Sequence, residues 1–182
     1  MAVARTTYFL AHLYLLALLG VLLGAFGVQF GFGELPCPLC YLQRMGMSLA
    51  AMGPALVILH GVKVRFFGMT IVAAALGGSI SVRQILLHIC STTDPGYGTP
   101  VLGLHLYTWA FIVFVIMTVV SAIHLWIHEE GTAYRPEKLS GFSKFCLWLF
   151  AAVLAANAVI AFLEAGFHWY LPGNPEEYRI FH

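Results

Sequence analysis

The feature that most constrains this chain is a series of five apolar stretches, each long enough to cross a membrane. A spanning helix needs about 20 apolar residues, because the hydrocarbon core is about 30 Å thick and each residue rises about 1.5 Å. Backbone polar groups find no water in lipid, so open strands cannot satisfy them there. The sequence therefore predicts an all-α membrane protein whose spans cover residues 8–30, 41–60, 66–88, 106–127 and 145–167.

Composition supports the same fold class. Of the 182 residues, 60% are hydrophobic and 9% are charged, and the net charge is +1. A soluble domain has about 25% charged residues, so these values exclude a disordered chain, a nucleic-acid binder that relies on basic charge, and almost any soluble enzyme. The first apolar stretch is longer than the core of a typical secretory signal, and no small-x-small cleavage site follows it, so we interpret it as a span.

The distribution of lysine and arginine predicts the orientation, since cytoplasmic loops are enriched in both. With a cytoplasmic N-terminus, only Arg179 lies in an outer segment. The short link 61–65 predicts that the second and third helices are antiparallel neighbours. We predict a four-helix transmembrane bundle over residues 1–128, a cytoplasmic loop over 129–144, and a fifth transmembrane helix with an outer tail over 145–182. The residues that would face the cytoplasm are Arg5, Lys63, Arg65, Arg135, Lys138 and Lys144.

The sharpest chemical signal is Cys37-Pro-Leu-Cys40 at the outer start of the second span. Two cysteines at this spacing can close and reopen a small disulfide ring. At a helix N-terminus, the free N–H groups and the helix dipole stabilise thiolates. Pro38 suits the first helical position, where its missing N–H costs nothing, which makes Cys37 the expected N-cap. The pattern favours a redox-active pair.

Two other interpretations of the pair remain open. The first is a structural disulfide, although a loop this short would gain little from closure. The second is a zinc site, which needs about four ligands; Cys90, His88 and His105 are the outer residues able to complete it. Cys146 lies at the inner end of the fifth span, too far from the pair to bond with it, and we expect a small buried residue there.

Arg44 follows Cys40 by four residues, which places both on one helix face. A guanidinium at this depth either snorkels to the headgroups or stabilises an anion, such as the Cys40 thiolate or an oxygen of a bound electron carrier. Arg83 raises the same question, with pairing to Glu164 as an alternative. A thiol pair beside a buried cation at the membrane edge suits a lipid-soluble quinone as electron acceptor.

The run Cys37-Pro-Leu-Cys40-Tyr-Leu-Gln-Arg44 resembles the signature of the DsbB family, and the resemblance extends over residues 8–127. It implies a multi-pass protein of the bacterial inner membrane with its active site at the periplasmic face. Such a protein would reoxidise a periplasmic DsbA-like thiol oxidase and pass the electrons to ubiquinone or menaquinone. The implied partners are therefore that oxidase, quinone and membrane lipid, without nucleic acid and without a bound metal.

The resemblance also implies roles for single residues. Cys40 would face the quinone, Cys37 would exchange disulfides, Arg44 would hold the quinone oxygen, and His88 would lie at the quinone site or simply at the membrane interface. The family usually has a second disulfide in its second outer loop, where this chain has only Cys90. Either Cys90 acts as a relay through transient mixed disulfides, or it is passive and the partner attacks the Cys37–Cys40 pair directly.

Two other classes of function stay open. The eight histidines permit a membrane haem protein with two axial histidines, either His60 with His124 or His88 with His105. A non-catalytic helical subunit is the second alternative, and it predicts neither thiol chemistry nor quinone. Both leave the Cys-Pro-Leu-Cys motif without a role.

Overall fold

The structure is a computed structural model that describes residues 2–89, 96–127, 134, 136–168, 170, 171, 173, 175 and 177–181. Over these residues the chain is helical, with an isolated antiparallel bridge between Val101 and Leu104 in place of any strand. All five long helices have the length and apolar composition that membrane crossing needs. The helices are α1 (Ala2–Phe32), α2 (Pro38–His60), α3 (Val64–Ile89), α4 (Leu106–Ile127) and α5 (Gly141–Ala165), followed by the short 3-10 helix α6 (Arg179–Phe181).

The prediction of an all-α protein with five possible spans is thus confirmed for the described residues. The antiparallel pairing of α2 with α3 is also confirmed, because Gly46 faces Gly77 and Gly53 faces Thr70. The helix α2 is central and contacts α1, α3, α4 and α5. A division into a four-helix core with an added fifth helix stays a prediction.

Small residues bring α2 and α3 into close contact. A methyl group on Gly46 would lie 3.0 Å from the Cα atom of Gly77, and one on Gly53 would lie 2.7 Å from the carbonyl oxygen of Phe66. Helices in lipid associate through such close packing, since lipid tails are as apolar as the side chains. The two helices can approach this closely only because these positions lack side chains.

A proline in the middle of α2 is accommodated by α3. Pro54 has no N–H, so the carbonyl of Ala50, four residues earlier, lacks its usual helical donor. The Thr70 hydroxyl of α3 donates to that carbonyl oxygen at 3.1 Å. This bond satisfies a backbone group that lipid could not, and it fixes the register between the two helices.

The bundle has two ends, and the redox motif lies at one of them. We call this the thiol end; α2 and α4 begin there, and α1, α3 and α5 finish there. At the opposite end, buried His12 of α1 contacts Ser143 of α5 through a 2.9 Å hydrogen bond. Cys146, on the second turn of α5, is fully buried at that opposite end, as expected for a small core residue.

Candidate functional site

The start of α2 holds the two cysteines at the thiol end. Cys37 is the N-cap of the helix, and Pro38 occupies the first helical position, as the sequence predicts. The Cys37 sulfur accepts a hydrogen bond from the backbone N–H of Cys40 at 3.3 Å. The two sulfur atoms are 2.8 Å apart, and both residues are free thiols. Their proximity allows the pair to form a disulfide.

The two thiols differ in environment. Cys37 is only 5% exposed, whereas Cys40 is half-buried and lines a cavity. The hydrogen bond from Cys40 is the main cause that lowers the pKa of Cys37 to about 7, against the opposing effect of burial. Cys37 is therefore the sulfur that carries a thiolate near neutral pH, stabilised mainly by the Cys40 thiol, and Cys40 is the cysteine that lines the cavity.

The cavity has a volume of about 410 Å³ and lies between α1, α2, α4 and the segment that precedes α4. Its walls are mainly apolar, and its polar residues include Cys40, Gln43 and Arg44 of α2 and Gln29 of α1. Pockets of about 300–1,000 Å³ with apolar walls and a few polar groups are typical of small-molecule sites. The cavity is therefore suited to a small apolar molecule that carries polar oxygens.

Arg44 is fixed by α1 and does not extend to the membrane surface. It is 8% exposed, and its guanidinium donates to the Gln29 side-chain oxygen at 2.7 Å and to the Ala25 carbonyl at 3.1 Å. Its carbon Cζ also lies 5.3 Å from the centre of the Phe26 ring. The snorkelling alternative is thus wrong, because the side chain is enclosed between helices. Arg44 lines the same cavity as Cys40.

The suggested pairing of Arg83 with Glu164 is also wrong. Arg83 lies on the exposed face of α3, whereas α5 packs against α1 and α2. Glu164 is fully buried and accepts a hydrogen bond from the Tyr41 hydroxyl at 3.0 Å through one carboxylate oxygen. Among the described residues, the other oxygen has no hydrogen-bond partner.

The remaining predicted residues fall elsewhere. His88 lies on α3 and stacks on the ring of Tyr107, with 5.5 Å between ring centres. It lines a smaller neighbouring cavity together with His105, and Tyr107 lines both cavities. Cys90 lies outside the described residues. The structure therefore brings Cys37, Cys40 and Arg44 together, and a role of His88 or Cys90 stays a prediction.

Metal binding receives no support from the part of the chain that the structure describes. There, no group of three or more His, Cys, Asp or Glu side chains has an arrangement able to hold a metal ion. His124, one of the histidines considered for haem, hydrogen-bonds to the Val120 carbonyl of its own helix at 2.7 Å and stacks on Phe67.

Sequence reasoning missed one residue that touches both sulfurs. Gln84 of α3 is 1% exposed, and its amide nitrogen lies 3.5 Å from the Cys37 sulfur and 3.6 Å from the Cys40 sulfur. Gln43 of α2 donates to the Gln84 side-chain oxygen at 2.7 Å. A buried amide in an apolar span was the available signal, but only the packing of α2 on α3 shows what it faces.

The site is covered by the segment that leads into α4. The Tyr97 hydroxyl donates to the Leu35 carbonyl at 2.5 Å, and the carboxylate of Glu34 accepts hydrogen bonds from the backbone N–H and the hydroxyl of Thr99. Burial is the main cause that raises the pKa of Tyr97. These bonds connect the segment to the chain just before Cys37.

Comparison with known proteins agrees with the geometry. The family model described as disulfide bond formation protein DsbB matches residues 7–96. The disulfide bond formation protein B 1 of Pseudomonas fluorescens strain Pf-5 is 31% identical over 140 residues, which are 57% of this chain and 79% of that protein. The chain belongs to the DsbB family. Its membership supports a function in disulfide bond formation and, with the five helices, a multi-pass membrane protein.

Other members of the DsbB family match over shorter lengths. The disulfide bond formation protein B of Methylococcus capsulatus is 41% identical over 100 residues, or 52% of this chain and 59% of that protein. That of Marinobacter nauticus is 37% identical over 86 residues, or 45% of this chain and 51% of that protein. The chain thus spans about half the length of this last relative. No solved structure matches the chain significantly. The family match ends at residue 96, so it contains Cys37, Cys40, Arg44 and Gln84 but not α5.

Proposed function

We propose that this protein is a thiol:quinone oxidoreductase of the bacterial inner membrane. It would reoxidise a periplasmic thiol oxidase and so support disulfide bond formation. The observation that carries the proposal is that Cys40, a redox-capable cysteine, and Arg44, a fixed cation, line the same mainly apolar cavity. The basic residues listed above favour a cytoplasmic N-terminus, and this orientation would put the thiol end on the periplasmic side.

The residues of the cavity fit a quinone. Arg44 uses two hydrogen bonds to α1 to hold its position, and a guanidinium has five N–H donors in total. Its remaining donors suit a carbonyl oxygen, while the apolar walls suit a ring and an isoprenoid tail. A bound quinone would accept two electrons and two protons, and the protein residues would position it. Ubiquinone and menaquinone both have this chemistry.

The thiol half of the reaction follows from the two environments. A partner thiolate would attack the Cys37 sulfur of the disulfide, and Cys40 would leave as a thiolate beside Arg44. The second partner thiol would then attack its own mixed disulfide and release Cys37. A low pKa makes a thiol a better leaving group, and the hydrogen bond from the Cys40 thiol is the main cause of the lowered pKa of Cys37. Protonation of the Cys40 thiolate by the second partner thiol would therefore favour the release of Cys37. Two electrons and one proton have then passed from the partner to the cysteine pair, which holds one thiolate and one thiol.

The two routes considered for Cys90 place different demands on access to Cys37. Since Cys37 is 5% exposed, direct attack requires that the chain around it open. In a relay, the Cys90 thiolate would attack the Cys37 sulfur and release Cys40. A partner thiolate would then attack the Cys90 sulfur and release Cys37, and the second partner thiol would release Cys90, so that no partner sulfur bonds to Cys37. In both routes, the Cys37–Cys40 pair would be the last thiol pair before the quinone.

The test is coupled turnover with purified protein in lipid nanodiscs. A reduced periplasmic thiol oxidase of the DsbA type would supply electrons, and quinol formation would be followed by absorbance. We expect turnover in the wild type, none in Cys37→Ser or Cys40→Ser, and normal turnover in the matched control Cys146→Ser. Turnover in Cys90→Ser at the wild-type rate would show that the partner exchanges directly with the Cys37–Cys40 pair. A stalled reaction in that variant would show that Cys90 is a relay. No quinol in the wild type, with either quinone type, would refute the proposal.

A further inference from the structure

The buried pair of Gln43 and Gln84 has no role in the function described so far. The pair joins α2 to α3 beside the two thiols, and both side chains are almost fully buried. Burying an amide is costly unless its polar atoms are hydrogen-bonded. A pair of amides in a membrane-spanning region is therefore either a polar helix contact or part of the chemistry.

The hydrogen-bond directions separate these alternatives. Gln43 donates to the Gln84 side-chain oxygen, so Gln84 uses its acceptor on the neighbouring helix. Its amide nitrogen, a donor only, then faces the sulfurs of Cys37 and Cys40 at 3.5 and 3.6 Å. Gln43 thus acts as a positioning residue, and Gln84 contacts both reacting atoms.

A donor shared by two sulfurs affects their two redox states unequally. Reduction of the pair breaks the S–S bond, adds two electrons, and near neutral pH takes up one proton to give one thiolate and one thiol. Hydrogen bonds to an ionised acceptor are about twice as strong as those between neutral groups. The amide of Gln84 therefore stabilises the thiolate-containing state more than the disulfide.

We propose that Gln84 is a catalytic residue whose amide, oriented by Gln43, makes the Cys37–Cys40 disulfide a stronger oxidant. This inference deepens the proposed function and rests on it for its biological meaning. The hydrogen bonds from Gln84 give the cysteine pair a higher reduction potential, which favours electron uptake from a partner dithiol. The pKa of Cys37 supports it, since the Gln84 contact acts in the same direction as the larger effect of Cys40.

The experiment measures the reduction potential of the pair without quinone or partner. Detergent-purified protein would be equilibrated in dithiothreitol redox buffers, trapped by alkylation, and scored by the mass of the peptide that contains both cysteines. Gln84→Met keeps the side-chain volume but removes the donor. We expect it to lower the equilibrium constant for reduction roughly tenfold, which lowers the reduction potential of this two-electron couple by about 30 mV. Gln84→Glu, which replaces the donor with an acceptor, should shift it at least as far in the same direction.

Two further variants control for structure. Ser81 lies one turn earlier on α3, is fully buried, and bonds only to the Gly77 carbonyl among the contacts described, so Ser81→Ala should leave the potential unchanged. Gln43→Leu should give a smaller shift than Gln84→Met. An unchanged potential in both folded Gln84 variants would overturn the inference, even if the wild type reduces quinone. A shifted potential in a protein that fails to reduce quinone would instead support the inference while refuting the proposed function.

Discussion

Arg44 of α2 donates a 2.7 Å hydrogen bond to the side-chain oxygen of Gln29 on α1. The bond fixes a cation inside the bundle, one helical turn from Cys40. Because Gln29 also donates to the Tyr178 hydroxyl at 3.1 Å, the charge is connected to the tail that follows α5. The contact explains how a span as apolar as α1 contributes to a redox site.

Replacing Arg44 should weaken quinone binding more than it affects thiol chemistry. Hydrogen bonds that involve a charged group contribute about 1.5–3 kcal/mol, so we expect Arg44→Gln to raise the KM for quinone roughly tenfold or more. Arg83→Gln is the matched control, since Arg83 lies on the exposed face of α3. Steady-state kinetics in nanodiscs would measure both. Equal KM values for Arg44→Gln and wild type would remove Arg44 from the quinone site.

Reduced protein should contain a thiolate that titrates near pH 7. Because the folded pKa of Cys37 is lowered from 9.0 to about 7, the thiolate is present above that pH and is lost as the pH falls through it. The corresponding stabilisation of the reduced fold is present above the unfolded pKa and is lost in the same direction. Ultraviolet thiolate absorbance, referenced to oxidised protein, gives the titration.

The cause of that shift is separately testable. The hydrogen bond from Cys40 is the largest cause of the lowered pKa of Cys37. Cys40→Ala should therefore move the midpoint of the thiolate titration back toward pH 9, and Cys37→Ser should abolish the titration. A midpoint near pH 7 that persists in Cys37→Ser would assign the thiolate to another cysteine.

The close approach of α2 and α3 predicts an asymmetric response to added methyl groups. Gly53→Ala would collide with the Phe66 carbonyl and the Thr70 side chain, and overpacking of this kind costs about 1–3 kcal/mol. Gly68→Ala on the same helix pair meets nothing within 4 Å, so it should be neutral or stabilising. Thermal unfolding in detergent would compare the two, and equal melting temperatures would contradict the packing described.

The contact between Tyr41 and Glu164 should couple α5 to the helix that carries the thiols. Tyr41→Phe removes the described hydrogen bond of a fully buried carboxylate, and an unpaired buried polar group costs about 1–3 kcal/mol or more. Tyr41→Phe in a Glu164→Leu background should lower the free energy of unfolding by less, because the acceptor is already absent. A double-mutant cycle on unfolding measures this coupling, and additive effects would show that the two residues act independently.

Much of this architecture could be predicted from the sequence, because apolar length, helix capping and the length of a link are properties of short stretches of chain. The spans, the N-cap at Cys37 and the antiparallel pairing across 61–65 follow from such patterns. The partners of buried polar residues could not, since they depend on which helix faces meet. Arg44 bonds to α1, Gln84 faces the sulfurs from α3, and Glu164 accepts from Tyr41; no spacing rule within one helix specifies these contacts.

The central claim is that the Cys37–Cys40 pair passes two electrons to quinone, and a single-turnover reaction tests it most directly. Fully reduced protein would be mixed anaerobically with an equimolar quinone, with Cys90→Ser/Cys146→Ser protein used so that the pair supplies the thiols. The account predicts one quinol formed for each Cys37–Cys40 disulfide, measured by absorbance and by alkylation with peptide mass analysis. Quinone that stays oxidised while both thiols stay reduced would contradict it.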